Sequence, residues 1–356
     1  MEKKIKSKIN LDDSRHTFVI AEAGSNWKCG TYDEDMDMAS KLIKTAAKSG
    51  ADAIKFQTYR ANTVYAPNAG KSDYLLDQGF QKDINEIFDY LSMPYEMIPE
   101  LSKICKDEDI ELMSTPFSVE DAKNIDPFVS LHKIASYEIN HVRLLEYLAN
   151  TSKPLLISTG ASTPTEIDFA VDFIQKKGNN KIVLLQCTSK YPTPVESLNL
   201  SVIPFLKSKY NLPIGFSDHS LNPVLAPILA VGYGASIIEK HFTMDKTLDG
   251  PDHSFALNPN ELDIMIKSIR EADLGKGSGI KEILSDEKEL RRFATRAIQA
   301  TKKIKKCDIL NEGKNFEVLR PGKNSRGSEA RHIFEINGKE AKRDYDIGEG
   351  IDYFND

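Results

Sequence analysis

Two histidines, His219 in IGFSDHS and His241 in IIEKHFT, each lie at the end of a short apolar run, and each shares its alternation face with an oxygen-bearing side chain, Ser217 and Glu239. Neutral imidazoles so placed suit a divalent metal. Two protein ligands leave positions for water and substrate, the pattern of a catalytic centre rather than a structural one. A histidine pair alone is more often structural, so its company decides its meaning. Asp252-His253 could support a ligating ring from behind. Lys55 and Lys133, with the hydroxyls of Thr115, Ser136, Ser158 and Ser217, offer the two positive charges and ring of donors that a phosphate monoester needs. Taken singly, either lysine would pair with a carboxylate or reach solvent, and either could instead form a Schiff base with a carbonyl substrate. Glu22 and Glu138 are suited to hydrogen-bonding sugar hydroxyls or moving a proton, or else to pairing with the lysines. Gln57 shares a face with Lys55, and Ser189 follows the run that begins at Ile182. Tyr191 in YPTP reads first as a turn packing residue and second as a ligand contact.

These residues recur at the ends of short β-branched runs: 18–24, 53–59, 111–117, 131–138, 154–160, 182–189, 214–220 and 237–243. Between most runs lies a helical pattern, as over 35–49, 95–109, 165–177 and 221–233, with Pro164 at a helix start and Gly50 and Gly178 past helix ends. Strands alternating with helices imply βαβ units and a parallel sheet, and eight units are the count of a closed (β/α)8 barrel. A doubly wound open sheet is the alternative, but no GxGxxG follows the first run. In a barrel, the polar residues at strand ends, Asn26 after the first run among them, converge on one mouth. Lys133 breaks parity with Ser136, so a bend is required there. Residues 60–94 form a longer insertion, a candidate lid. The chain reads as an N-terminal extension (1–16), a catalytic barrel (17–280), a linker (281–296) carrying a charged helix near 286–292, and a small mostly-β domain (297–356) without helical period.

Composition narrows the classes. Of 356 residues, 40% are hydrophobic and 28% charged, which describes a soluble globular chain. No run approaches the roughly 20 apolar residues of a membrane span, and the first residues lead into a polar stretch rather than a secretory signal. Four dispersed cysteines make no CxxC pair, which suits a reducing cytoplasm and excludes a thiolate zinc site. Net charge is −6, yet residues 291–343 hold 15 Lys+Arg against 6 Asp+Glu, a balance of +9 that leaves −15 elsewhere. Interspersed apolar and turn residues make this stretch a small basic domain rather than a nucleic-acid arm.

The strings IAEAGSNW, AIKFQTY, STPFS, KIASYE, LLISTGAS, LLQCTSKYPTP, IGFSDHS, EKHFTMDK and GPDHS occur in order. Together they resemble the sialic acid (N-acetylneuraminate) synthase family, with its legionaminic and pseudaminic acid relatives. The tail, with Arg320-Pro321-Gly322, resembles that family's antifreeze-like (SAF) domain. The resemblance implies condensation of phosphoenolpyruvate with an open-chain N-acylated hexosamine and water, giving a nonulosonic acid and phosphate. It implies that His219 and His241 hold manganese, with magnesium or cobalt as substitutes. It places phosphate and carboxylate on Lys55, Thr115, Lys133, Ser136, Ser158 and Ser217, and the sugar on Glu22, Gln57, Glu138, Tyr191 and Asp252. A domain-swapped homodimer, with Arg320 reaching the partner's sugar site, is also implied. Ser189 stands where N-acetylneuraminate synthases often carry Asn. That departure leaves the sugar open, with N-acetylmannosamine the first expectation and a 2,4-diacetamido-trideoxyhexose the alternative. A Schiff-base aldolase and a non-catalytic carbohydrate-binding protein are the remoter readings.

Overall fold

The computed structural model describes residues 15–77 and 79–354, so most of the N-terminal extension expected over 1–16 lies outside the described residues. The chain divides into two compact units, one up to Ser278 and one from Gly279 onward. In the first unit, eight strands follow the apolar runs: β1 (Phe18–Gly24), β2 (Ala53–Thr58), β3 (Glu111–Pro116), β4 (His132–Ile134), β5 (Leu155–Ser158), β6 (Ile182–Cys187), β7 (Ile214–Asp218) and β8 (Ile237–His241). Each hydrogen-bonded pair is parallel, and β1 pairs with both β2 and β8. The strand order is β3-β2-β1-β8-β7-β6-β5-β4, and β4 lies against β3 to close the ring. This is a TIM barrel, and the open-sheet alternative is excluded.

Helix α1 (Tyr32–Lys48) follows β1, starting at a capping box in which Thr31 and Glu34 satisfy each other's backbone donors. The insertion after β2 carries α2 (Ala61–Val64), α3 (Asp73–Asp77) and α4 (Ile84–Leu91), and α5 (Met97–Asp107) leads into β3. Then come α6 (Val119–Ile125), α7 (Val142–Asn150), α8 (Pro164–Lys176), α9 (Val202–Tyr210), α10 (Leu225–Gly232) and α11 (Pro259–Lys276). Helix α10 begins later than the sequence pattern suggested, because Asn222 Oδ1 accepts from the amides of Val224 and Leu225 and holds that segment as a turn. The fourth run is also shorter than expected. Strand β4 stops at Ile134, and Ser136–Glu138 form a 3-10 turn. That bend accounts for the parity break between Lys133 and Ser136.

Alternation along the strands divides the barrel's apolar residues into two cores. Outward-facing residues such as Ile54, Phe56, Leu184, Phe216 and Ile238 pack under the helices. Inward-facing residues Phe18, Ile20, Ala53, Met113, Leu131, Leu156, Val183, Leu185 and Ile237 fill the barrel below its mouth. The insertion has its own cluster, in which Leu75, Ile84, Ile87 and Leu91 pack around Tyr59.

The second unit opens with α12 (Lys288–Ala294) and pairs β9 (Ala297–Ala300) with β10 (Phe316–Leu319) antiparallel. Ile298, Ala300, Leu310, Phe316, Ile336 and Tyr345 form its core. It also contains one helical turn, α13 (Ile333–Ile336). Four residues are too few for a helical period to show in the sequence.

Candidate active site

Inward parity carries the inner faces of the strands from apolar to polar as they reach the mouth. On β2, Ala53 is followed by Lys55 and Gln57, and on β8 Ile237 is followed by Glu239 and His241. Lys55 Nζ lies 2.7 Å from Glu22 Oε2 and 3.6 Å from Glu239 Oε1, and donates to Thr115 Oγ1 at 3.0 Å. Lys133 Nζ donates to Ser158 Oγ at 2.7 Å and to the Ile134 carbonyl at 3.1 Å, and lies 4.0 Å from Glu239 Oε1. Gln57 Nε2 donates to Glu22 Oε1 at 2.9 Å, and Ser217 Oγ donates to Glu239 Oε1 at 3.3 Å. A buried chain of charge, Glu22–Lys55–Glu239–Lys133, thus crosses the barrel and ends on Ser158.

The low dielectric of this chain shifts its members unequally. Burial pushes Glu22 up to about 7, only partly opposed by Lys55. Glu239 is equally buried, but Lys133 and Lys55 outweigh that and hold its carboxyl below the ordinary range. Burial lowers the Lys133 ammonium, whereas the carboxylates of Glu22 and Glu239 overcome burial at Lys55 and raise it. Burial raises Glu138 to about 7 and Asp252 to about 6. Three carboxyls raised toward neutrality, with a firmly ionised fourth in the same site, are the arrangement of groups that can hold or release a proton.

The histidines stand next to this chain, with ring centroids 5.6 Å apart. His219 Nδ1 lies 2.9 Å from the Thr188 carbonyl, which can only accept, so Nδ1 carries the hydrogen and Nε2 is the free nitrogen of the neutral ring. Burial disfavours the His219 cation, but the Cys187 sulfur, 3.9 Å away, and the Thr188 carbonyl reverse the balance and raise its pKa. Burial, the charge His219 would take on if protonated, and the Lys55 cation hold the His241 pKa well below its ordinary range, so its ring is neutral. Its Nδ1 is buried without a hydrogen-bond partner, 3.7 Å from Asp252 Oδ2. An orphaned, neutral imidazole nitrogen beside a second oriented imidazole and a carboxylate fits a divalent cation. Among the described residues no three His, Cys, Asp or Glu side chains are grouped as a complete shell, so the fit is to an open site.

Tyr191 packs tilted against the His219 ring at 4.1 Å and edge-on to His241 at 6.1 Å, while Tyr74 of α3 approaches it at 5.8 Å. Tyr191 is therefore in the site rather than only in a turn, and the insertion reaches the same place. Gly24 ends β1 at a register shift, with φ +52°; a Cβ there would stand 2.8 Å from Asp252 Oδ2. Only glycine allows both that left-handed backbone and Asp252 so close. Gly160 plays the same spatial role opposite, where a Cβ would stand 2.4 Å from Ser189 Oγ and 2.8 Å from Ser136 Oγ. Ser136 Oγ accepts from the Gly160 amide, and Ser189 Oγ is buried with no hydrogen-bond partner. Glu138 Oε2 is likewise unpartnered.

Some expectations change. Asn26 is buried and donates to the Phe242 carbonyl, fastening β1 to the chain beyond β8 rather than facing the mouth. His253 turns away to Thr243 Oγ1 at 2.7 Å, so only Asp252 of that pair approaches His241. Arg320 is exposed in the second unit, after β10. Sequence reasoning had noted Glu239 only as sharing a face with His241, and it overlooked Cys187 and Gly160. The signal for Glu239 was its inward parity in EKH.

The family model described as the NeuB family matches residues 42–281. The spore coat polysaccharide biosynthesis protein SpsE of Bacillus subtilis is 40% identical over 94% of this chain and 92% of its own length. Its crystal structure superposes with a TM-score of 0.63, covering 94% of each chain. A pseudaminic acid synthase of Campylobacter jejuni is 35% identical over 96% of this chain and 97% of its own. An N,N'-diacetyllegionaminic acid synthase of Legionella pneumophila is 37% identical over 89% of this chain and 88% of its own.

Proposed function

Because this chain belongs to the NeuB family, we propose that it is a nonulosonic acid synthase, condensing phosphoenolpyruvate with an open-chain N-acylated amino sugar and water. The observation that carries the reading is the buried Glu22–Lys55–Glu239–Lys133 chain beside the histidine pair. Lys55 and Lys133, with Thr115, Ser136, Ser158 and Ser217, receive the phosphate and carboxylate of phosphoenolpyruvate. Ser189, with its unpartnered hydroxyl, adds a donor on the same side. Glu22, Gln57, Glu138, Tyr191 and Asp252 meet the sugar.

The π electrons of phosphoenolpyruvate form the bond from C3 to the sugar's aldehyde carbon, whose oxygen takes a proton and becomes a hydroxyl. Water adds to the electron-poor C2 and loses a proton. The bond from C2 to the bridging phosphate oxygen then breaks, its electron pair leaving on the phosphate, while the C2 hydroxyl gives up its proton, which leaves a ketone and inorganic phosphate. Glu22 and Glu138, both at about 7, are the groups placed to hand over these protons. His219 and His241 would hold a divalent cation, manganese first, which would supply Lewis acidity toward a carbonyl oxygen. The names of the pseudaminic and legionaminic acid synthases support a 2,4-diacetamido-trideoxyhexose as an equal candidate beside N-acetylmannosamine.

The second unit fits a SAF domain that, in a swapped homodimer, adds the basic stretch 291–343 and Arg320 to the partner's sugar site; the +9 of that stretch against −15 in the rest of the chain supports this. No helix among the described residues is long and apolar enough to cross a membrane. The test is phosphate release from phosphoenolpyruvate with manganese, comparing both sugar classes and no sugar, with and without EDTA. Release that requires a sugar and is abolished by EDTA is expected. Release from neither sugar, or release indifferent to EDTA, would overturn the reading.

A further inference from the structure

Behind the histidine pair lies an ion pair that none of this chemistry uses. Lys240 Nζ stands 2.5 Å from Asp218 Oδ2 and donates to the Ser220 carbonyl at 2.6 Å and to Ser220 Oγ at 3.3 Å. All three donors of the ammonium are thereby occupied. Asp218 Oδ1 accepts in turn from the Ser220 amide at 2.8 Å. The two charged side chains are 1% and 0% exposed, and the residues face each other in register across β7 and β8. Alternation sends them to the helix side of the sheet, while His219 and His241, one residue further on, belong to the mouth.

Stability alone gives no reason for charges here, since a buried ion pair is often matched by apolar residues of similar volume. What the charges provide is direction. One ammonium, on the residue before His241, binds the residues on both sides of His219. We propose that Asp218 and Lys240 are positioning residues that fix the separation of His219 and His241, and so set the affinity of that pair for a divalent cation. The inference rests on the metal reading above. Neither side chain touches the ligand; both act through the backbone of the strand ends.

The experiment measures manganese binding to the full chain by the loss of the free aqueous ion's electron paramagnetic resonance signal, with phosphoenolpyruvate binding by calorimetry alongside. Asp218→Asn keeps shape and removes the charge, Lys240→Met removes the donors, and the double variant removes both. Each single variant should raise the manganese Kd about tenfold, the lower end of what supporting shells contribute, with phosphoenolpyruvate Kd within twofold of wild type. The double variant should cost less than the product of the singles. A manganese Kd within twofold of wild type in Asp218→Asn would overturn the proposal, even if its Tm falls. Should Lys240→Met fail to fold, Asp218→Asn alone decides. Wild type that binds no manganese would instead overturn the metal reading, and the positioning role with it; binding lost in His219→Ala separates the two failures.

Discussion

The lower and upper parts of the barrel interior are built on the same strands, about 7 Å apart at one pleat repeat, yet they do opposite things. Below, Ile20, Ala53, Leu131, Leu156 and Ile237 are fully or almost fully buried hydrocarbon. Above them, on the same strands, stand Glu22, Lys55, Lys133, Ser158 and Glu239, nearly as buried but charged or polar. The lower layer gains free energy by excluding water. The upper layer spends it, since each of its charges is desolvated and is tolerated only through its partners. Activity and stability are therefore separable along one strand, and single substitutions can break either side of the comparison.

The largest effect should come from Lys55→Met. It strands Glu22 and Glu239 without their shared cation, costing about 3–5 kcal/mol in denaturant unfolding. It should also lower kcat/KM for phosphoenolpyruvate by about two to three orders of magnitude, as loss of a charged donor does. Leu156→Ala, one repeat below Ser158, should cost about 2–5 kcal/mol of stability through the cavity it leaves, while kcat/KM well below the melting transition stays within about threefold. If both variants lost activity equally, the separation would be wrong. Glu239→Gln keeps the shape of the bridge and removes its charge, leaving Lys133 without its carboxylate; kcat should fall, and Tm should fall too but by less than in Lys55→Met, because Lys55 keeps Glu22. The smallest effect is a pH dependence. Folded Glu138 keeps its proton up to about 7 instead of the ordinary 4.5, so its contribution to stability is fully present below 4.5 and is lost as pH rises through 7. Between pH 5 and 8 the Tm of wild type should therefore fall further than that of Glu138→Gln; parallel profiles would show that Glu138 is not desolvated.

Much of this was legible in the sequence because parity and strand ends are local properties. Lys55 with Gln57, and Ser217 with His219, can be assigned to one face by counting in twos, and the mouth follows once eight βα units are counted. What could not be read was which residues meet across the barrel. Glu239 bridges lysines from β2 and β4, neither adjacent to β8, and no spacing in the chain records that meeting. Asn26 misled because its type suits a mouth, whereas the chain turns after Gly24 and takes its amide to the Phe242 carbonyl. Gly160 escaped because the role of a glycine is the space it leaves beside Ser136 and Ser189. Asp218 and Lys240, odd men in polar strings, are explained only by their register across two strands.

The central claim is that the lysine–carboxylate chain holds phosphoenolpyruvate while its C2–O bond breaks. The most direct measurement runs the reaction in water enriched in ¹⁸O, with manganese and each of the two sugar classes in turn, and analyses the released phosphate by mass spectrometry. The account predicts sugar-dependent phosphate free of ¹⁸O, because water enters at carbon. Phosphate carrying one ¹⁸O would mean attack at phosphorus and would contradict it.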